Sequence, residues 1–455
     1  MSPADYLDIF RHPDILVVLA TAPTGFGHLR VTQALKNGLP EHQSVPVLGL
    51  SHSSLQFLHR LTSRHVIMRA FFEFFQNNPG AEEVFTRTYR SYLSVSASDT
   101  YRALSRLVLS RRRHPRTIIL VCTHFSLAHE AAAVKTRLLR EYNCRLIISV
   151  TVTDDSPQRI WAVPGADFIF VPSLKTKVLL DKYLQRFSPP RPLVIISPYP
   201  VAPGLTVPLS AARYTARVHQ LQPHTPSPLN ILLPVSGAAV QLSYFRDLIS
   251  GLNAADNHHL TIISRQSPAT ASFLSWCRTV PGIEVISHLQ DLETVIAYEH
   301  ALTRSVFSLE ITKPSEQSFK ALLTPHQRGG VILLFTRPVG RQEYDNLDFL
   351  RRHRLLPDAA DARILNDLCR HNSTSRMDAS FYRRAQNWRC LMLPDTGSLA
   401  ARAITCFKNA SVLSSMANFT GFLNHPELRG DGVRIFWQQL SGHIQKIIQN
   451  GSARP

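Results

Sequence analysis

Cysteine is scarce in this chain of 455 residues, and its pattern excludes several classes of protein. The six cysteines, at positions 122, 144, 277, 369, 390 and 406, form no CxxC pair and no short His/Cys spacing of the zinc type. A disulfide framework and a zinc finger are therefore not indicated. We expect reduced and mostly buried thiols in a cytoplasmic protein.

Long hydrophobic runs are also missing. The apolar run at residues 15–20 is too short and wrongly flanked for a signal peptide or a membrane span, and no other segment reaches spanning length. There is no low-complexity block either. We therefore expect a chain that folds around buried cores, and that reaches a membrane only from its surface.

Acidic residues are in deficit. Lys and Arg number 50 against 32 Asp and Glu, which gives a formal charge of +18. Such a surplus attracts nucleic acid, an acidic lipid surface or phosphorylated substrates, and the charge alone does not choose among them. No stacking-aromatic motif or helix-turn-helix pattern is present, so nucleic acid is not an expected partner.

The order of apolar and amphipathic segments indicates two α/β domains. The length exceeds what one core supports, and short apolar strands alternate with helical periodicity, which is typical of parallel βαβ units. We predict an N-terminal domain at 1–205, a Pro-rich linker at 206–228, a second domain at 229–430 and a C-terminal helix at 431–455. The predicted strands are 15–20, 45–50, 117–122, 146–153, 168–171 and 193–196, then 231–234, 260–264, 283–286, 306–309 and 331–335.

Two segments of the first half follow strands and carry reactive side chains. Gly25, Gly27 and His28 open a helix, where backbone amides approach a ligand closely and an imidazole can take a proton. Asp154 and its neighbour Asp155 follow a later strand and offer carboxylates as a base. The alternatives are a helix cap for the first segment and an Asx-turn for the second.

Two segments of the second half suit a phosphate. Ser236 and Gly237 lie between a strand and a helix, where small residues let a pyrophosphate approach. Lys313 and Ser318 belong to a later strand-to-helix loop, which supplies a cation and a hydroxyl. Each signal is weak by itself, and their order along the chain carries more information.

The stretch from Arg337 to Asn346 is the most informative. It follows an apolar strand and contains Gly340, Gln342, Glu343 and Asn346. A glycine turn that presents amide and carboxylate groups at the end of a strand suits hydroxyl-rich ligands such as sugars. The alternative is an ordinary strand-turn-helix with a solvated polar face.

Taken together, five ordered segments resemble the GT-B glycosyltransferases, and specifically the monogalactosyldiacylglycerol synthases and processive diacylglycerol glucosyltransferases. The matching segments are 24–28, Val152-Thr153-Asp154 through Trp161, 170–173, Ile311-Thr312-Lys313 and Gly340 to Asn346. The resemblance implies two Rossmann-like domains facing across a cleft. It also implies transfer of a sugar from a nucleotide donor, usually UDP-linked, to a lipid or other amphipathic acceptor, with inversion and without a bound metal or cofactor.

The resemblance also implies roles for the residues. His28 or Asp154 would deprotonate the acceptor hydroxyl. Ser236, Gly237 and Ser318 would face the diphosphate. The donor's sugar hydroxyls would be held by Gln342 and Glu343. The local chemistry is compatible with this, because helix N-termini and Lys313 or Arg341 can offset the charge of the leaving group.

Three departures from the family pattern support an alternative. Ala238-Ala239 stand where the family has glycines, Glu316 lies in the expected diphosphate loop, and Lys320 or Ala321 falls where an acidic residue holds the ribose. The alternative is a catalytically degenerate GT-B protein that binds a nucleotide sugar or an anionic membrane and acts through partners.

An aromatic-rich stretch at 66–75 and the basic run Arg111-Arg112-Arg113 suit a helix on anionic lipid. A buried core helix is the other interpretation of the aromatic stretch. On the first interpretation the protein is cytoplasmic and peripheral on the membrane.

Overall fold

The computed structural model describes residues 5–23, 25–40, 43–49, 78–235, 239, 241–254, 258–335, 338, 340–421 and 424–452. Its internal contacts divide the chain into two compact units. The first unit contains Met1–Pro203 with Asp431–Pro455, and the second contains Gly204–Gly430. Each unit has its own hydrophobic core. The prediction of two α/β units is confirmed.

The first unit is built on a parallel six-stranded sheet in the order β2-β1-β3-β4-β5-β6. Its strands are rich in Val, Ile and Leu on both faces, so helices cover both sides of the sheet. The strands are β1 (Ile15–Ala20), β2 (Val47–Leu48), β3 (Thr117–Cys122), β4 (Arg145–Thr151), β5 (Phe168–Val171) and β6 (Leu193–Ile196). The helices before residue 203 are Phe26–Asn37, Pro79–Val95, Ser98–Leu109, Phe125–Tyr142 and Leu174–Leu184, with 3₁₀ turns at Asp5–Arg11 and Arg159–Trp161.

The second unit repeats this architecture with the strand order β12-β11-β10-β7-β8-β9, again all parallel. Its strands are β7 (Leu229–Pro234), β8 (His258–Arg265), β9 (Ile283–His288), β10 (Leu309–Thr312), β11 (Val331–Leu334) and β12 (Cys390–Met392). Its helices are Pro203–Thr206, Ala211–Leu221, Leu242–Asn253, Ala271–Cys277, Asp291–Arg304, Arg341–Arg352, Ala359–His371, Ala379–Ala385, Gly397–Asn409 and Val412–Ala417, with a 3₁₀ helix at Glu316–Leu322.

One predicted strand is displaced and one strand was not predicted. The strand expected at 306–309 is β10, at Leu309–Thr312. The buried carboxylate of Glu310 lies inside β10, where sequence reasoning does not expect a charge, and it is stabilised there by Tyr298 and Lys320. The strand β12 has three residues, which is too short to stand out in a hydrophobic pattern.

The range 206–228, predicted as a linker, contains a helix that packs on the second unit. Helix Ala211–Leu221 begins after Ser210, whose hydroxyl accepts from the Arg213 N–H at 3.4 Å. Arg217 is 1% exposed and donates to the carbonyls of Phe307, Pro325 and Gln327. The prolines of this range flank the helix, so they mark its ends rather than a flexible connection.

The C-terminal helix Gly432–Ser452 belongs to the first unit. Trp437 is fully buried and donates its indole N–H to the Leu35 carbonyl at 3.0 Å, and Phe436 meets Phe170 edge to face. A side chain at Gly432 would collide with the Tyr199 carbonyl, so the helix begins where only glycine fits. Within the described residues, no helix combines the length and apolar character that crossing a bilayer requires.

Candidate functional site

The loops after β1, β3 and β4 of the first unit meet at one edge of its sheet. Ala20 is in register with Cys122, and Cys122 with Val150, so these strands end side by side. The chain leaves β1 toward β2 and returns on the other side as β3. Open α/β sheets bind ligands at such a reversal of strand order.

His28 is at this edge, in the first turn of helix Phe26–Asn37. The helix follows Gly25, whose φ of 151° and ψ of 157° suit glycine best. The Nδ1 atom of His28 lies 2.7 Å from the Thr123 carbonyl oxygen. Because a carbonyl only accepts, we assign the Nδ1 proton to this bond, which makes Nε2 the basic nitrogen of the neutral ring.

Neighbouring groups fix the orientation of the His28 ring. The Thr153 hydroxyl lies 3.3 Å from Nδ1, and Thr32 bonds both the His28 carbonyl and the Thr123 hydroxyl. The imidazole of His124 meets that of His28 edge to face, with centroids 4.8 Å apart. Thr123 and His124 were not predicted as site residues, although their position directly after β3 was a usable signal.

Trp161 is buried in the core of the first unit. It is 3% exposed and packs edge to face on Phe125, with centroids 5.5 Å apart. Its ring centroid is 6.1 Å from that of His28. Trp161 therefore supports the His28 imidazole from the core.

The two aspartates after β4 have different surroundings. Asp155 is fully buried, and its carboxylate accepts from the hydroxyls of Ser173 and Thr176 at the start of helix Leu174–Leu184. This makes Asp155 a structural anchor. Asp154 is half-buried and follows Thr153 directly, so it belongs to the same loop edge as His28.

Two buried titratable groups lie behind this edge on helix Phe125–Tyr142. His129 bonds the Ile160 carbonyl at 2.9 Å, and burial lowers the pKa of its ring to about 4. Burial raises the pKa of the Glu130 carboxyl to about 7, although the Thr100 hydroxyl bonded to it opposes this shift. Both groups are thus held in their uncharged forms over a range of mildly acidic pH.

In the second unit, the stretch Gly340 to Asn346 spans a sharp turn and the first turns of helix Arg341–Arg352. Gly340 has φ 79° and ψ 161°, a conformation that glycine adopts readily and other residues avoid. Glu343 is 7% exposed and forms an ion pair with Lys313. Asn346 is fully buried and donates to the Pro314 carbonyl at 3.4 Å, whereas Gln342 is half-buried.

The structure therefore brings the two predicted loops of the second unit together. Lys313 belongs to the loop after β10, and Glu343 to the loop after β11. Glu343 was expected to bind a sugar, and Lys313 to face a leaving group. In this structure the two side chains neutralise each other instead.

The loop after β10 is closed by its own hydrogen bonds. Ser318 is 1% exposed and donates its hydroxyl to the Ser315 carbonyl at 2.7 Å, and Thr312 donates to the side chain of Gln317. Ser318 was expected to face a diphosphate, and in this structure its hydroxyl closes the turn that starts the 3₁₀ helix Glu316–Leu322.

A buried ion pair occupies the position where the resembled family places an acidic residue for the ribose. The Lys320 ammonium lies 2.8 Å from Glu310 and 4.8 Å from the centre of the Tyr298 ring. Tyr298 donates its hydroxyl to Glu310 at 2.5 Å. Because these three side chains are all buried, their contacts serve the core of the unit.

Three predicted elements lie outside the described residues. They are Ser236, Gly237 and the aromatic stretch at 66–75. Two residues beside the first pair are described, and both have positive φ: 50° at Ala239 and 63° at Gln241. The loop after β7 therefore makes left-handed turns without glycine at either of these positions.

No protein-family model and no curated protein matches this sequence. Among solved structures, it is similar to S. aureus MnaA in a structure with UDP, at 10% identity over 97% of this chain and 98% of that one, with a TM-score of 0.48. A Neisseria meningitidis UDP-GlcNAc 2-epimerase bound to UDP-GlcNAc gives 10% identity over 94% of this chain and 99% of that one, with a TM-score of 0.44. A Polygonum tinctorium UDP-glucosyltransferase gives 12% identity over 96% of this chain and 99% of that one, with a TM-score of 0.42. All three TM-scores are below 0.5, and the ligands and activities named are those of the three neighbours.

Proposed function

We propose that the protein is a glycosyltransferase of the GT-B type, which moves a sugar from a nucleotide-sugar donor to a hydroxyl acceptor. The observation that carries the proposal is the geometry of His28. Its Nδ1 faces a main-chain carbonyl at 2.7 Å, at the reversal of strand order in the first sheet. This arrangement supports a general base whose basic atom is Nε2.

The reaction on this proposal is a single displacement. The acceptor hydroxyl loses its proton to Nε2 of His28, and its oxygen forms a bond to the anomeric carbon of the sugar. The bond from that carbon to the diphosphate oxygen breaks, and the nucleoside diphosphate leaves with the electron pair. The anomeric configuration inverts. Asp154, on the same loop edge, is the second candidate for the base.

On this proposal the second unit binds the donor. Gln342 and Glu343 hold sugar hydroxyls, Ser236 and Gly237 face the diphosphate, and Lys313 balances its charge. Ser318 joins the diphosphate contacts only when its hydroxyl leaves the Ser315 carbonyl. Glu343 and Lys313 are already paired, so donor binding exchanges this contact for contacts with the sugar and the diphosphate. The nucleotide proposed is UDP, on the strength of the family resemblance.

The acceptor we propose is a lipid or another amphipathic alcohol at an anionic membrane surface. The net charge of +18 supports attraction to such a surface. No metal or cofactor takes part in the proposed step.

A His28→Ala variant tests the proposed base. We expect turnover, measured as release of nucleoside diphosphate with diacylglycerol in mixed micelles, to fall by about 100- to 10,000-fold. Stabilisation by the donor in a thermal-shift screen of UDP, GDP, ADP and TDP sugars should remain. His114→Ala, which removes an exposed histidine from the same unit, is the matched control and should keep both properties. Unchanged turnover in His28→Ala would overturn the assignment of the base.

The second candidate is a degenerate GT-B protein that binds a nucleotide sugar or membrane without transferring sugar. The buried pair of Lys320 and Glu310 favours it, because the loop where the family binds ribose is committed to the core here. Stabilisation by a nucleotide sugar without turnover on any acceptor would support this candidate. The absence of any stabilisation would count against both.

A further inference from the structure

Three metal-ligating side chains converge in the second unit, away from the loops described above. His353 follows the last turn of helix Arg341–Arg352, whereas His425 and Glu427 come from the stretch that ends this unit at Gly430. The helix has 12 residues and is therefore about 18 Å long. Its first turn carries Glu343, so the cluster lies a helix length from the proposed sugar contacts.

The cluster has the spacing that a metal site needs. One ligand atom from each of the three side chains lies within 4.8 Å of the others. The His353 Nε2 is 2.9 Å from the Glu427 carboxylate, and the two imidazole centroids are 5.1 Å apart. Tetrahedral zinc with bonds of about 2.0–2.1 Å needs ligand atoms roughly 3.3 Å apart. Rotation of the His425 ring, which is at least partly exposed, supplies the remaining movement.

The supporting contacts hold two of the three ligands in place. Glu427 is 7% exposed, and His353 packs on Phe349 with ring centroids 4.6 Å apart. His425 accepts the Glu427 backbone N–H at Nδ1, at 3.2 Å. Ligation through Nδ1 would replace this long hydrogen bond. Ligation by His353 through Nε2 would replace its bond to Glu427, and the ring proton would then lie on Nδ1.

The donor set indicates the kind of ion. Two imidazole nitrogens and one carboxylate oxygen are a known ligand set for zinc, with water in the fourth position. Oxygen-preferring ions such as calcium and magnesium are poorly matched by two imidazoles. We propose that His353, His425 and Glu427 form a binding site for zinc or a similar divalent transition metal, which ties the end of the second unit to helix Arg341–Arg352.

The full-length protein, stripped with chelator and dialysed, tests the proposal by titration with Co²⁺ and then Zn²⁺. We expect one equivalent of Co²⁺ to give a visible absorption band that Zn²⁺ displaces. Zn²⁺ should also raise the melting temperature and increase hydrogen-exchange protection in the peptide that covers 424–430. His425→Gln should weaken Zn²⁺ binding at least tenfold in calorimetry, and so should Glu427→Gln.

The matched control is His371→Gln, which removes an exposed histidine from the end of helix Ala359–His371 in the same unit. It should bind Zn²⁺ as the unaltered protein does. His425 is at least partly exposed, so its replacement leaves the core intact and decides the matter even if Glu427→Gln fails to fold. No stoichiometric binding, or equal binding by His425→Gln and His371→Gln, would overturn the proposal.

Discussion

The two units treat polar side chains at the carboxyl ends of their strands in different ways. In the first unit a main-chain carbonyl accepts the Nδ1 proton of His28, so Nε2 is the ring nitrogen that can take up a proton. In the second unit Lys313 and Glu343 pair with each other, and Ser318 bonds its own turn. The edge of the first sheet thus holds an imidazole in a fixed orientation, whereas a ligand at the edge of the second sheet must replace existing side-chain contacts with its own.

The units also differ in how they bury titratable groups. The first holds His129 with a lowered pKa and Glu130 with a raised pKa, so that neither needs a counter-charge over mildly acidic pH. The second buries Glu310 together with Lys320 as an ion pair. Removing a side chain beside a buried neutral group leaves no uncompensated charge. Removing one member of a buried ion pair leaves the other charge buried without its partner, which lowers stability.

The largest expected effect is in the buried pair of the second unit. Lys320→Met leaves the fully buried Glu310 carboxylate without its ammonium, which should lower the stability of this unit by about 3–5 kcal/mol. Hydrogen exchange, read on peptides from each unit separately, measures the loss. In the first unit, His28→Asn should change stability by less than about 1 kcal/mol, since the ring is only half-buried.

The double variant Glu310→Gln with Lys320→Met is the control for this prediction. It removes both charges and keeps an acceptor for the Tyr298 hydroxyl, so it should recover at least half of the lost stability. If the double variant is no more stable than Lys320→Met, packing and not charge explains the effect.

Replacing Glu130 and replacing His129 in the first unit should change the pH dependence of stability in opposite directions. Glu130→Gln removes the Glu130 contribution, so stability relative to the unaltered protein should rise between the ordinary pKa of 4.5 and the folded pKa of about 7. His129→Gln removes the His129 contribution, so relative stability should fall between the folded pKa of about 4 and the ordinary pKa of 6.5. Each change should reach about 3 kcal/mol at most.

The sign follows from counting protons. Between pH 4.5 and 6.5 the unfolded chain binds its proton mainly at His129, whereas the folded chain binds it at Glu130. The two contributions therefore cancel in the unaltered protein. Urea unfolding at a series of pH values measures how the free energy of unfolding of each variant changes with pH. Parallel changes in the two variants would contradict the assignment of His129 and Glu130 as both uncharged in the folded protein.

The glycines that precede helices Phe26–Asn37 and Arg341–Arg352 should both resist a side chain, a feature that the two units share. Gly340 has φ 79° and ψ 161°, so Gly340→Ala should cost about 1–3 kcal/mol. Gly25 has φ 151° and ψ 157°, in the same region that favours glycine, although a Cβ there would meet no atom within 4 Å. Gly25→Ala should therefore lose about 1–3 kcal/mol in urea unfolding through backbone strain alone, and an unchanged stability would contradict strain at this turn.

Most of the fold could be predicted from the sequence because continuous Val, Ile and Leu runs specify buried parallel strands. The strands β1, β3, β5 and β6 have the predicted bounds. The failures have physical causes. The charge of Glu310 lies inside β10 and is compensated by residues that only the fold brings near.

The candidate site could be predicted only in part. Loop positions follow from strand ends, so His28, Asp154 and the Gly340 turn were found from the sequence. Side-chain partners do not follow from the sequence, because the contact of Lys313 with Glu343 depends on the register of two loops separated by β11. The same reason explains why His124 was missed beside His28.

The smallest expected effect concerns the loop after β7, where the resembled family has glycines and this chain has alanine. Ala239 has φ 50°, a left-handed conformation that costs an alanine roughly 1–2 kcal/mol, while glycine adds entropy to the unfolded chain. Ala239→Gly should therefore stabilise the second unit by about 0.5–1 kcal/mol in urea unfolding. Ala254→Gly is the matched control, since Ala254 has φ −67° at the end of helix Leu242–Asn253 and should lose stability instead. If both variants lose stability equally, the loop does not hold a strained alanine. If Ala239→Gly also strengthens binding of the nucleotide-sugar donor, the alanine at position 239 hinders that binding. The difference between the two units in how readily they accept a ligand would then depend partly on this one residue.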